Sequence, residues 1–297
     1  MIDTDFFGQL DRFSFMVRKR VSNAYTGSRR SIKHGKGIDI IGYREYIPGD
    51  DFRTIDWKIY GRTEKLYIRQ FEEERSVTTH ILLDASKSMD YGGKDQNKNK
   101  VKDEDQKDIR KFDYAAMIGV GFAYLVTKDN EKFAISTFSE TIEIAQPKRG
   151  RGYLLTTIDK LNAMPLEGKT DFANTFEQYA KTIHSRAVVV VVSDFLTDLN
   201  SIRTGLYRLG TNDLVVIQVL HENEVNITLD GDTKLHDLET DEVMRTYVSP
   251  RFKDEYKQQL DDHIAGVREI CNELGADFHS FSTDKPIFDA FFEAISR

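Results

Sequence analysis

Cysteine is almost missing: Cys271 stands alone among 297 residues, which rules out an internal disulfide and any metal centre built on clustered thiolates. Positive charge is not in surplus either. Lys and Arg number 42 against 49 Asp and Glu, a formal net charge of -7, so the chain lacks the cationic excess that displaces counterions from nucleic acid. No nucleic-acid partner is expected. The longest clean apolar run, Ala187 to Val192, is strand-sized and far below the roughly 20 residues that span a bilayer. The opening MIDTDFF has no basic segment leading into an apolar one, as a secretory signal would. The expectation is a cytoplasmic protein with no transmembrane segment. Two catalytic signatures are missing as well. There is no G-x-x-x-x-G-K-[ST] phosphate loop, and His221-Glu-Asn-Glu is followed by Val225 where a zinc protease needs its second histidine.

What is present divides into unequal pieces. Phe6, Leu10, Phe13, Val17 and Val21 fall on one helical face, predicting an N-terminal helix over 1–25. Residues 26–76 begin with the glycine-rich, basic TGSRRSIKHGKG and continue with short β-prone runs around Pro48-Gly49-Asp50, where proline followed by glycine suits a type II turn. This reads as a small β-rich region. From 77 to 297 strands alternate with helices: apolar runs at Thr79–Asp84, Phe133–Phe138, Ala187–Ser193, Leu214–Leu220 and Asp277–Ser282 are separated by stretches of helical spacing. The prediction is an α/β domain with a doubly wound, mostly parallel sheet. Residues 92–110, GGKDQNKNKVKDEDQKDIR, are too polar to join a core and read as an insert after the first strand of that sheet.

That first strand ends in ILLDASKSMD. Ligands of open α/β sheets bind outside the carboxyl ends of the strands, and Asp84, Ser86 and Ser88 leave such an end. A nucleophilic serine would need a G-x-S-x-G elbow, which is missing. A phosphate-accepting Asp84 would want a second carboxylate two residues on, where Ser86 stands. Hydroxyls with carboxylates suit a hard divalent cation. Thr170 before one predicted helix and Asp194 after the VVVVVS strand should reach the same edge. Taken singly, each residue also has a plain structural use: Ser86, Ser88, Thr170, Asp171 or Asp194 would each serve as a helix cap.

The order D-x-S-x-S, then T, then D, carried by Asp84, Ser86, Ser88, Thr170 and Asp194, resembles the metal-ion-dependent adhesion site of von Willebrand factor A domains. The resemblance implies Mg2+, with Mn2+ or Ca2+ as alternatives, held directly by the hydroxyls while the aspartates often act through water. Upstream, EYIPGDDFRTIDW followed by GRTEKLYIRQFEEE closely resembles the bacterial family catalogued as domain of unknown function fifty-eight, which joins such a block to a von Willebrand A-like domain; Gly61 replaces its usual alanine. Members are commonly found beside MoxR-type AAA+ ATPases. The resemblance therefore implies a non-enzymatic interaction module, a partner or adaptor of such an ATPase, that captures an acidic side chain of the ATPase or its client on the metal. The alternative is a Mg2+-dependent phosphohydrolase with Asp84 as nucleophile. An exported adhesin fits poorly without a signal. Asp50, Asp51, Arg53 and Arg62 are candidate partner contacts, and Arg53, Asp56, Arg62 and Arg69 are expected to surround a buried Trp57.

Overall fold

The computed structural model describes Gly8 and residues 40–71, 77–93, 109–236 and 243–295. The helix expected over 1–25, the basic loop after it and residues 94–108 of the insert lie outside these, apart from Gly8. Of the described residues, 40–71 belong to one compact unit and 77–295 to the other.

In the smaller unit β1 (Ile40–Glu45) pairs antiparallel with β2 (Tyr67–Phe71). The chain between them turns at Pro48-Gly49, with the Asp50 N–H on the Ile47 carbonyl at 3.0 Å and Gly49 at φ 111°, a left-handed value that glycine tolerates. A short 3-10 turn follows, and then α1 (Trp57–Thr63). That helix departs from the β-rich expectation. Asp56 explains it: its side chain accepts from the N–H groups of Lys58 and Ile59 and so starts a helix in a segment whose aromatic residues suggest a strand. Trp57 corrects a second expectation, being 60% exposed. The buried apolar positions are Ile55, two residues before it, and Ile68 of β2, bridged across the two segments.

The larger unit is built on a six-stranded sheet in the order β10-β7-β6-β3-β4-β5. The strands are β3 (Thr79–Asp84), β4 (Phe133–Phe138), β5 (Ile142–Glu143), β6 (Val188–Ser193), β7 (Asp213–Leu220) and β10 (Asp277–Ser282). All run parallel except β5, a two-residue antiparallel edge. Between them come α2 (Lys111–Lys128), α3 (Arg151–Asn162), α4 (Phe172–Ala180), α5 (Leu199–Leu209), α6 (Glu222–Val225), an antiparallel hairpin of β8 (Gly231–His236) and β9 (Val243–Val248), and α7 (Pro250–Leu274); α8 (Ile287–Ile295) closes the chain. Val243, Met244 and Tyr247 of this hairpin are exposed.

Every side chain of β3 and β6 is buried, as strands covered on both faces require. Alternation sends Leu82, Val189 and Val191 to one face, into a cluster with Phe176 of α4, Leu206 of α5 and Val267 of α7. Ile81 and Leu83 face α2, where a Cβ on Gly119 would stand 3.0 Å from Leu83 Cδ2. A side chain there would require Leu83 and Ile81 to give way by a few tenths of an ångström. The edge-on contact of Phe122 with Phe291 then ties α2 to α8.

One polar chain crosses this core. The Ala145 N–H donates to Ser136 Oγ, Ser136 Oγ to the Tyr179 hydroxyl, and that hydroxyl lies 2.8 Å from His80 Nδ1. Burial lowers the His80 pKa from 6.5 to about 4, so the imidazole is neutral in the folded protein and accepts. Below pH 6.5 the unfolded chain takes up a proton that the native state refuses until about pH 4. The stability His80 contributes is thus complete above 6.5 and lost as pH falls toward 4. His80→Asn keeps an acceptor near Nδ1 without a titrating ring. Between pH 7 and pH 4 wild type should lose about 3 kcal/mol more unfolding free energy than this variant, measured by denaturant titration.

Candidate metal centre

The order of the strands fixes where a site can form. From β3 the chain moves outward to β4 and β5 on one side and to β6, β7 and β10 on the other, so the switch point lies between β3 and β6, and a crevice opens at their carboxyl ends. Pairing of Leu83 with Val192 brings Asp84 beside Ser193 there. Asp194 is the next residue.

Two loops complete the edge. The loop before α4 is stitched to the one after β3: Lys87 N–H donates to the Gly168 carbonyl at 3.0 Å and Glu167 N–H to the Ala85 carbonyl at 3.2 Å. Asp171 caps α4 by accepting from the Asn174 N–H. Its neighbour Thr170 is thereby free of capping duty and donates to Asp84 Oδ2 at 3.0 Å. Capping is likewise not the use of Asp194, because Asp198 caps α5, and Ser86 makes no side-chain cap bond to the 3-10 turn that follows it. Ser86 Oγ lies 3.1 Å from Ser88 Oγ, and Ser88 Oγ donates to Asp194 Oδ2 at 2.8 Å. All five residues singled out in the sequence thus meet in one hydrogen-bonded group.

Burial within the group is graded. Asp84 and Ser86 are fully buried, Asp194 almost so, while Ser88 and Thr170 reach partly into solvent. Asp84 accepts from the Ser86 N–H at 2.9 Å and from Ser193 Oγ at 2.5 Å besides Thr170. Even so, its pKa is pushed up to about 6, chiefly by burial and then by the charge of Asp194. Asp194 goes the other way. Burial opposes its ionisation, but the Lys111 ammonium at 2.8 Å and donors from Ser88 and Leu196 outweigh it and hold the carboxyl below its ordinary range.

Three contributors were not legible as such. Ser193 looked like the end of an apolar strand, Lys111 stands between the polar insert and the predicted helix, and Glu224 falls in the failed zinc motif. Among the described residues no three His, Cys, Asp or Glu side chains gather as a metal-binding group, so any ion here depends on the hydroxyls. The four candidate contacts of the smaller unit separate. Asp50 pairs with Arg44 through both oxygens, at 2.8 and 2.7 Å; Asp51 caps the 3-10 turn; Arg53 and Arg62 are exposed. Of the surround expected for Trp57, only Asp56 and Arg69 pair, at 3.5 Å.

Residues 42–266 match the model of a protein family described as protein of unknown function DUF58. The chain belongs to this family. The larger unit is α/β, a mostly parallel sheet alternating with helices. The uncharacterized protein Rv1480 of Mycobacterium tuberculosis is 24% identical over 273 residues, 91% of this chain and 82% of that protein. The uncharacterized protein YeaD of Bacillus subtilis is 34% identical over 74 residues, 25% of this chain and 18% of its own length. Among solved structures, an aerotolerance-related membrane protein from Bacteroides fragilis is similar with a TM-score of 0.44 at 14% identity, over 74% of this chain and 98% of that one. The VWA domain of SpRpn10 is similar with a TM-score of 0.42 at 12% identity, over 73% and 93%. Among the described residues no helix is long and apolar enough to cross a membrane.

The raised pKa of Asp84 makes a sign-specific prediction in metal-free buffer. Between 3.8, its unperturbed value, and about 6, the native state holds a proton that the unfolded chain has released. Stability from this group is therefore full at low pH and lost as pH rises through 6. Asp84→Asn keeps acceptor and donor atoms without the charge. In chelator at pH 7.5 the variant should gain up to about 3 kcal/mol over wild type, and the gain should vanish by pH 4, as read by denaturant unfolding.

Proposed function

We propose that this protein is a Mg2+-dependent protein-interaction module, in which an ion held at the carboxyl edge of β3 and β6 captures an acidic side chain of a partner. The observation that carries this reading is the oxygen-only group formed by Asp84, Ser86, Ser88, Thr170 and Asp194 at the switch point of the sheet. An octahedral Mg2+ shell with bonds of about 2.0–2.1 Å sets neighbouring oxygens roughly 2.9 Å apart, and Ca2+ sets them wider. Ser86 Oγ and Ser88 Oγ, both direct ligands in this reading, stand 3.1 Å apart, a separation that either shell can take up.

Ser86, Ser88 and Thr170 would hold the ion through their hydroxyls. Asp84 and Asp194 would balance its charge from behind, since their oxygens already accept from Ser86, Ser193, Thr170, Ser88 and Lys111. What the ion supplies when bound is a positive centre with a place left for an anionic oxygen. Neutral direct ligands leave most of its charge available to that oxygen. The chain's own part is to hold these atoms at the rim, with Ser88 and Thr170 facing outward. A phosphate-accepting Asp84 gains no support from its surroundings, being fully buried with both oxygens occupied. Resemblance within the family makes a MoxR-type AAA+ ATPase or its client the partner to test first.

The experiment pairs ion and partner. Wild type should bind Mn2+, followed by electron paramagnetic resonance, and should bind a purified MoxR-type ATPase from the same organism in Mg2+ but not in chelator. Ser86→Ala with Ser88→Ala should weaken Mn2+ binding at least tenfold and abolish the Mg2+-dependent complex while leaving the circular dichroism spectrum unchanged. Equal partner binding in chelator would remove the metal from the mechanism.

A further inference from the structure

Lys111 opens α2 directly after the polar insert, and the neck of that insert is closed beside it: its own N–H donates to the Tyr91 carbonyl at 3.0 Å, and Arg110 pairs with Asp90 at 2.9 Å. Its side chain is 1% exposed. A buried ammonium is costly unless it is paired, and this one has two carboxylates, Asp194 Oδ2 at 2.8 Å and Glu224 Oε1 at 2.7 Å. Glu224 is itself fixed, because its Oε2 accepts the His221 N–H at 2.8 Å in the capping box that starts α6. The ammonium is thus held between a carboxylate of the candidate metal site and one anchored by secondary structure.

The charges constrain what this can do. With Asp84, Asp194 and Glu224 ionised and Lys111 protonated the group sums to about two negative charges, which a divalent cation cancels. Without Lys111 the sum is about three negative charges, and Asp194 loses its counter-charge whenever the ion leaves. Resting on the metal-site reading above, we propose that Lys111 is a tethered counter-ion: it keeps Asp194 in place while no metal is bound and lowers the affinity of the site so that the ion exchanges. Ion and ammonium then share one carboxylate. Metal becomes a condition for partner capture and not for folding.

The test uses the full chain as wild type, Lys111→Met and Lys111→Met/Glu224→Gln. Methionine preserves the length of the apolar stem, and the double variant avoids leaving Glu224 charged against an apolar side chain. Mn2+ binding is followed by electron paramagnetic resonance, and thermal unfolding is compared in chelator and in excess Mg2+. Wild type should bind Mn2+, and its midpoint should rise with Mg2+ by less than those of the variants. Lys111→Met, with about three negative charges, should bind Mn2+ at least tenfold more tightly, the double variant, back at about two, should bind less tightly than the single one, and the lowered midpoints of both in chelator should be restored by Mg2+. If wild type binds and Lys111→Met binds no more tightly, or both variants are destabilised equally with and without Mg2+, Lys111 only fills space and the metal site stands without it. If wild type itself fails to bind Mn2+, the counter-ion and the metal reading fall together.

Discussion

The carboxylate of Asp84 is buried at the one place where the sheet reverses its winding, and the rest of the edge is arranged around that fact. A fully buried acid must be given donors or lose its charge. Three arrive from separate elements: the backbone of its own loop, Ser193 on the neighbouring strand and Thr170 from the loop before α4. Each depends on a different part of the fold. Register between β3 and β6 places Ser193, and two backbone bonds between loops place Thr170. The donors do not suffice, because Asp194 stands close enough to raise the Asp84 pKa along with burial. A carboxylate that is well bonded and still reluctant to ionise marks a place where stability has been given up for a site.

The same strand carries a second buried titratable group with the opposite sense. His80 resists gaining its proton and Asp84 resists losing its own. Between about pH 4 and pH 6 the two contributions to stability oppose one another and are of similar size. The acid response of the intact protein is therefore a difference between them, and its flatness would say nothing about either group.

Sheet and helices were legible because their signals are strong: β-branched runs, helical periodicity and a sharp change of rhythm near residue 77. The five site residues were legible because each stands at the end of a strand or just before a helix, where a side chain must face the carboxyl edge. What escaped notice had a local disguise. Lys111 closes a run of charged residues, and only the start of α2 at that residue turns it inward. Trp57 is exposed although a tryptophan is bulky and largely apolar, because the Asp56 cap starts a helix that turns it outward and leaves apolar burial to Ile55 and Ile68. Periodicity describes an element, whereas these cases turn on its first residue, where pattern is weakest.

The position of Lys111 also bears on why the site would favour an incoming acid. Its ammonium is spent on Asp194 and Glu224, both of which it meets at hydrogen-bonding distance, so it does not project toward solvent as a competing anchor. The atoms at the rim are the hydroxyls of Ser88 and Thr170, which carry no charge. With a dication in place, the buried group would be close to neutral overall while its positive centre lay at the surface and its negative centres below. A carboxylate approaching from outside meets the ion before it meets any fixed anion. The order of charges along the crevice, and not their sum, would then give the proposed site its preference.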